Sequence, residues 1–156
     1  MIKFSDIITR ERIIISDGHC SKYEILGYMS EKFADCAEID GKHKIFPDII
    51  ERESIFSTGI GAGVAIPHIH KPYISGVNAA FCVMRSPIDY NSMDEIPVSF
   101  IIMILTSGKE HEKYLGTVAK FANLLRSENM RNTLISATAE NDIMKLLDDS
   151  EEFKEE

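Results

Sequence analysis

The sequence predicts an α/β fold: a single-domain sandwich with a mixed parallel and antiparallel sheet flanked by helices. Three observations predict it. Val98 to Leu105 is apolar almost throughout, the pattern of a central strand covered on both faces. Segments of helical periodicity stand on either side of the strand-like segments, which places helices on both faces of the sheet. At 156 residues the chain has the size of one domain and can bury a substantial core. One domain is therefore expected over 1–156, with a core at about 5–148 and an acidic, solvated tail at 149–156.

Taken in order, Ile13-Ile14-Ile15 predicts a brief buried strand. Ser21 reads as a helix N-cap with Glu24 completing a capping box, and Ile25, Leu26, Met29, Phe33 and Ala37 continue a helical stripe over 21–37. Pro47 marks the first turn of a second helix that reaches about Glu53, with Phe46, Ile49, Ile50 and Ile55 as its apolar residues. Ser57 to Gly63 is a glycine-rich connection, and Val64-Ala65-Ile66 is short and apolar. Val77 to Met84 and Val98 to Leu105 are the main strands, separated by turn-forming residues from Pro87 to Pro97. A long helix is expected over 110–126, its apolar face formed by Leu115, Val118, Ala119, Ala122 and Leu125. Two shorter helices are expected near 127–137 and 140–148.

Charge and cysteine usage narrow the function classes. Acidic residues outnumber basic ones, 25 to 17, for a formal net charge of −8. That sign repels phosphate backbones and anionic lipid, and the basic residues are scattered, so neither nucleic-acid binding nor membrane insertion is expected. The N-terminus does not resemble a signal peptide, and no apolar stretch is long enough to span a bilayer. Cys20, Cys36 and Cys82 form no close-spaced pair, which favours a reducing cytoplasm and inert thiols. His19-Cys20 with Cys36 and His43 matches no familiar zinc spacing.

The chemistry concentrates in Gly61 to His70, GAGVAIPHIH. Pro67 has no N–H and biases Ile66 to extended backbone, so it suits the end of a strand and presents His68 on a stiff platform. If the chain stays extended, His68 and His70 project to the same side. The glycines permit close approach, and their N–H groups suit an anion. From the residues alone, His68 reads as a hydrogen-bonded structural histidine, as a metal ligand with His70 and His111, or as a nucleophile that accepts and passes on a phosphoryl or acyl group.

The segment from Glu53 through Thr58, Gly59, Ile60, Gly61, Ala62, Gly63, Val64, Ala65, Ile66 and Pro67 to His68 resembles the phosphorylation-site segment of a known family. It is that of the mannitol/fructose-type enzyme IIA of the bacterial phosphotransferase system, a group that includes the nitrogen-related IIA proteins. The pattern is an acidic or amide residue, six positions, an apolar–small pair, two positions, then apolar-Ala-apolar-Pro-His. Ser21-Lys22, Glu51-Arg52-Glu53, the apolar strand ending near Leu105 and the helix from Tyr114 to Leu125 also look like the family.

The resemblance implies a phosphohistidine-forming transferase without a cofactor or metal. His68 would accept phosphate from an HPr-like phosphocarrier protein and hand it to a IIB domain of a sugar permease. The nitrogen-related branch implies an alternative, in which the phosphorylation state controls binding to a regulatory target. Arg52 resembles the family arginine near the active histidine, with a helix-end charge as the other reading. Ser57, Thr58, Gly59, Gly61 and Gly63 would supply fixed donors to the phosphoryl oxygens. This sequence departs from the family at two places. Ile69 is bulkier than the usual follower of the histidine and is expected to narrow the approach of the donor or to reshape the docking surface. The second histidine of many relatives is replaced by Tyr114 in alignment, with His111 one turn earlier and His70 expected at the rim.

Overall fold

The computed structural model describes residues 2–152, and Phe153 to Glu156 of the expected tail lie outside them. Among the described residues six α-helices and six strands follow in the order α1 (Phe4–Ile7), β1 (Ile13–Ser16), α2 (Lys22–Glu31), α3 (Ile45–Ile55), β2 (Gly59–Gly61), β3 (Val64–Ala65), β4 (His68–His70), β5 (Val77–Ile88), β6 (Val98–Thr106), α4 (His111–Arg126), α5 (Glu128–Ser136) and α6 (Glu140–Glu152).

The sheet runs β1-β5-β6-β3-β2, with β4 also on β6. Pairings of β1 with β5 and of β3 and β4 with β6 are parallel. Those of β5 with β6 and β2 with β3 are antiparallel. The sheet is thus mixed, and β6 is its central strand. Alternation along β5 and β6 divides the core in two. Ala80, Cys82, Met84, Ile101, Met103 and Leu105 pack with Ile25, Leu26 and Met29 of α2 and Ile45 and Ile49 of α3. Ala79, Phe81, Val83, Phe100, Ile102 and Ile104 pack with Phe4, Phe121, Leu134, Ile143 and Leu147 from α1, α4, α5 and α6.

Local chemistry sets several boundaries. The Ser21 hydroxyl accepts from Glu24 N at 3.1 Å while Glu24 Oε1 accepts from Ser21 N at 3.2 Å, closing the capping box that starts α2. The apolar face of α4 is rotated from the expected one. Leu115 is 51% exposed, and Ala119 and Ala122 are also exposed. The buried residues of α4 are Thr117, Phe121, Leu124 and Leu125, because burying the Phe121 ring removes more apolar surface from water than burying two alanines.

The C-terminal segment also differs from expectation. Helix α6 continues through Glu152, and Glu151 Oε1 accepts from Phe4 N at 2.6 Å and pairs with Lys120 Nζ at 2.7 Å. These bonds tie residues 149–152 to the fold, so that part of the acidic run is not a solvated tail. Among the described residues no helix is long and apolar enough to cross a membrane.

Candidate phosphoryl-transfer site

Pro67 interrupts the edge of the sheet without ending it. It cannot donate, but its carbonyl accepts from Ile104 N at 2.9 Å, so the chain stays beside β6 and pairs again. His68 therefore begins a strand, β4, where the sequence suggested the end of one. Ile69 is buried in the cluster facing α2 and α3, and alternation turns His68 and His70 to the opposite face, toward α4. The bulk of Ile69 thus packs into the core, and the residue also contributes to the wall of the smaller cleft beside His68.

His68 Nδ1 lies 2.8 Å from the carbonyl oxygen of Ile66. A carbonyl only accepts, so in the neutral ring Nδ1 carries the proton and Nε2 keeps the lone pair. The ring borders two adjoining clefts of about 720 Å³ and about 220 Å³, and Arg52 lines both. Arg52 Nη1 donates to the Phe56 carbonyl at 2.8 Å, which closes the C-terminal end of α3. One arm of Arg52 thus serves the helix end, and the residue also lines both clefts that His68 borders.

Tyr114 is half-buried, lines the larger cleft, and has its ring centroid 5.6 Å from that of His68. Burial pushes its phenol up, against a smaller opposite pull from Arg52, so the hydroxyl remains a donor. His111 is exposed in the first turn of α4, 6.5 Å from the Tyr114 ring, and lines neither cleft. His70 lies 5.7 Å from His68 and meets Tyr114 edge-on at 4.8 Å. Its Nδ1 is 3.2 Å from Thr106 Oγ1. Desolvation first, then the neighbouring His68 and His111, hold His70 below the usual histidine range.

Beneath the glycine-rich turn lies a buried polar network. Glu53 pairs with Lys22 Nζ at 2.8 Å, accepts from Thr58 N at 3.2 Å and from the Tyr90 hydroxyl at 3.1 Å, and bonds the Thr58 hydroxyl. Lys22 Nζ also sits 4.4 Å above the Tyr90 ring. The N–H of Gly59 donates to Ser57 Oγ at 3.2 Å, and that of Ala62 to Asp94 Oδ2 at 2.9 Å. The N–H groups of Thr58, Gly59 and Ala62 are therefore engaged within the fold, which leaves the turn fewer free donors than its sequence implies. Ser57, Thr58, Gly59 and Gly61 do line the larger cleft. Gly63 does not: it is buried, and its carbonyl accepts from Ser99 N at 2.9 Å and Phe100 N at 3.1 Å.

Lys22, Tyr90, Ser92 and Asp94 are the parts of this site that the sequence did not assign. Lys22 had a signal in its place beside the capping Ser21; the other three lie in a turn-rich loop with no signature. Among the described residues no group of three or more His, Cys, Asp or Glu is arranged to hold a metal. The cysteines are free, and burial pushes the Cys82 thiol up to about 12.

The family described as "Phosphoenolpyruvate-dependent sugar phosphotransferase system, EIIA 2" matches residues 6–150. This chain belongs to the EIIA 2 family. Among curated EIIA relatives, a "Nitrogen regulatory protein" of Bradyrhizobium diazoefficiens is 30% identical over 132 residues, 83% of this chain and 84% of the relative. A "PTS system fructose-specific EIIA component" of Haloferax volcanii is 25% identical over 143 residues, 92% and 93% of the two chains. The chain spans 23% of the length of a third relative, a fructose-specific EIIABC component of Bacillus subtilis, at 27% identity over 146 residues, 94% of this chain. Two solved structures share the fold. One is the nitrogen regulatory protein IIA-Ntr of Neisseria meningitidis, with a TM-score of 0.80 at 23% identity over 91% of this chain and 97% of that one. The other is the complex of enzyme IIA mannitol with phosphorylated enzyme IIB mannitol of Escherichia coli, with a TM-score of 0.75 at 17% identity over 90% and 98%. The EIIA sandwich with its mixed sheet is the fold the sequence predicts.

Proposed function

We propose that this chain is a phosphoryl carrier that takes a phosphoryl group from an HPr-like phosphocarrier protein onto Nε2 of His68 and passes it to a IIB domain. The observation that carries the reading is the bond of His68 Nδ1 to the Ile66 carbonyl, which reserves the Nε2 lone pair for attack. In the transfer, that lone pair forms the new P–N bond as the bond from phosphorus to the donor breaks and its electron pair leaves with the donor. Nδ1 keeps its proton, and the Ile66 carbonyl stabilises the positive charge the ring acquires. The Arg52 fork and the Tyr114 hydroxyl supply fixed donors for charge on the phosphoryl oxygens.

The surroundings suit a protein partner. Ile55 (77% exposed), Phe56 (57%), Ile60 (61%) and Met93 (76%) line the two clefts and remain open to solvent. A second reading, regulation of a target protein by the phosphorylation state, is favoured by the 30% identical nitrogen regulatory relative.

Incubation with enzyme I, the phosphocarrier and labelled phosphoenolpyruvate tests the carrier reading. Acid-labile label should appear in the wild type and be absent in His68→Ala; no His68-dependent label would sink the proposal. Addition of a IIB domain separates the two readings: rapid onward transfer indicates a transport chain, and retention of label favours the regulator.

A further inference from the structure

Two histidines stand two residues apart on the same face of β4, and their hydrogen-bond partners favour opposite tautomers. His68 Nδ1 faces a carbonyl, so it is the N–H nitrogen. His70 Nδ1 faces the hydroxyl of Thr106, a fully buried residue. That hydroxyl oxygen accepts from Gly108 N at 2.9 Å, and among the described residues His70 Nδ1 is its one other hydrogen-bond partner, so the buried hydroxyl hydrogen is satisfied by donating to His70 Nδ1. The lone pair of His70 Nδ1 is therefore occupied, and Nε2 bears the hydrogen. One imidazole offers a nucleophile and the other an N–H donor.

We propose that His70 binds the phosphoryl group of phosphorylated His68 through its Nε2–H and is itself barred from accepting phosphate. The ring centroids lie 5.7 Å apart, both rings line the smaller cleft, and Arg52 lies in the same cleft. A phosphoryl oxygen on His68 bridges that gap with one hydrogen bond. The Tyr114 ring lies edge-on to His70 at 4.8 Å and tilted against His68 at 5.6 Å. The carboxylates in this cleft are Asp48, which accepts from the Tyr73 hydroxyl at 2.7 Å, and Glu51; Lys71 adds a cation. His70 is exposed at the rim, and partial desolvation with the neighbouring His68 and His111 favours its neutral ring, which keeps a single N–H. No proton moves in this role. The inference rests on the carrier reading for its substrate, but it can be tested without a partner protein.

Long-range nitrogen-15 NMR of the imidazoles in the full chain reads the tautomers directly. His68 is expected as Nδ1–H and His70 as Nε2–H; His70 found as Nδ1–H overturns the proposal. Chemical phosphorylation with potassium phosphoramidate then tests the role. In His70→Asn, whose amide donates only near the δ position, labelling of His68 should slow about tenfold, the effect of losing one hydrogen bond to a charged group. In His70→Gln, whose amide reaches the ε position, most of the rate should return. Equal rates in the wild type and His70→Asn, label on His70, or no label on wild-type His68 would each overturn it. Failure of labelling by the phosphocarrier alone, with these chemical results intact, would sink the carrier reading and leave the His70 assignment standing.

Discussion

Lys22 Nζ lies 2.8 Å from Glu53 Oε2, with both side chains buried, and joins the first turn of α2 to the C-terminal half of α3 below the glycine-rich turn. Breaking a buried pair from one side strands the other charge in a medium that solvates it poorly. Lys22→Met should destabilise the protein by about 3 kcal/mol, a fall in Tm of about 10 °C for a domain of this size. Calorimetry checks this, and an unchanged Tm would show that Glu53 is held by its hydroxyl and amide donors alone.

Gly59 and Ser92 are in close contact. A Cβ on Gly59 would stand 2.1 Å from Ser92 Oγ and 2.9 Å from Ser92 Cβ. Gly59→Ala should cost about 2 kcal/mol through overpacking, and Ser92→Gly in the same chain should recover most of it. Ser92 Oγ is also buried without a hydrogen-bond partner among the described residues. Ser92→Ala should therefore raise stability by about 1 kcal/mol, as measured by urea unfolding.

Arg52→Lys separates the two tasks of Arg52. The cation at the end of α3 is preserved, so thermal stability should change little. The forked donor beside His68 is lost, and phosphorylation of His68 should slow by about a hundredfold. A variant that is phosphorylated at the wild-type rate would restrict Arg52 to the helix end.

His70 gives the stability a sign with pH. Its folded value lies below the ordinary 6.5 because burial, then His68 and His111, disfavour the charged ring. Between the two values the unfolded chain binds more protons, so stability is present above about 6.5 and declines as pH falls below it. His70→Gln should flatten that decline. Denaturant midpoints followed through the mildly acidic range test this, and a slope unchanged by the substitution would assign the decline to other groups.

Legibility in the sequence followed the range of the physics involved. The strand Val98–Thr106 and the Ser21 capping box are local patterns, and both could be read directly. The face of α4 was misread because Leu115, Ala119 and Ala122 repeat at helical spacing as well as Phe121 and Leu125 do, and the choice depends on what the sheet offers opposite. The site divides in the same way. His68, Arg52 and Thr58 lie within one short segment. Tyr90, Ser92 and Asp94 reach it from another loop, over a separation that no pattern of spacing reports. The packing of Ile69 into the core depends on the pairing of β4 with β6, which spacing along the chain does not report.

That pairing makes β4 a frame of three. His68, Ile69 and His70 sit opposite Ile104, Leu105 and Thr106, and the strand has no length to absorb an error. Deleting a single residue between Gly63 and His68 would slide the frame by one step, sending both imidazoles toward the α2 and α3 core and the isoleucine out to solvent. The placement of the two imidazoles is therefore protected by parity, and a change that leaves both histidines in the sequence can still remove them from the surface.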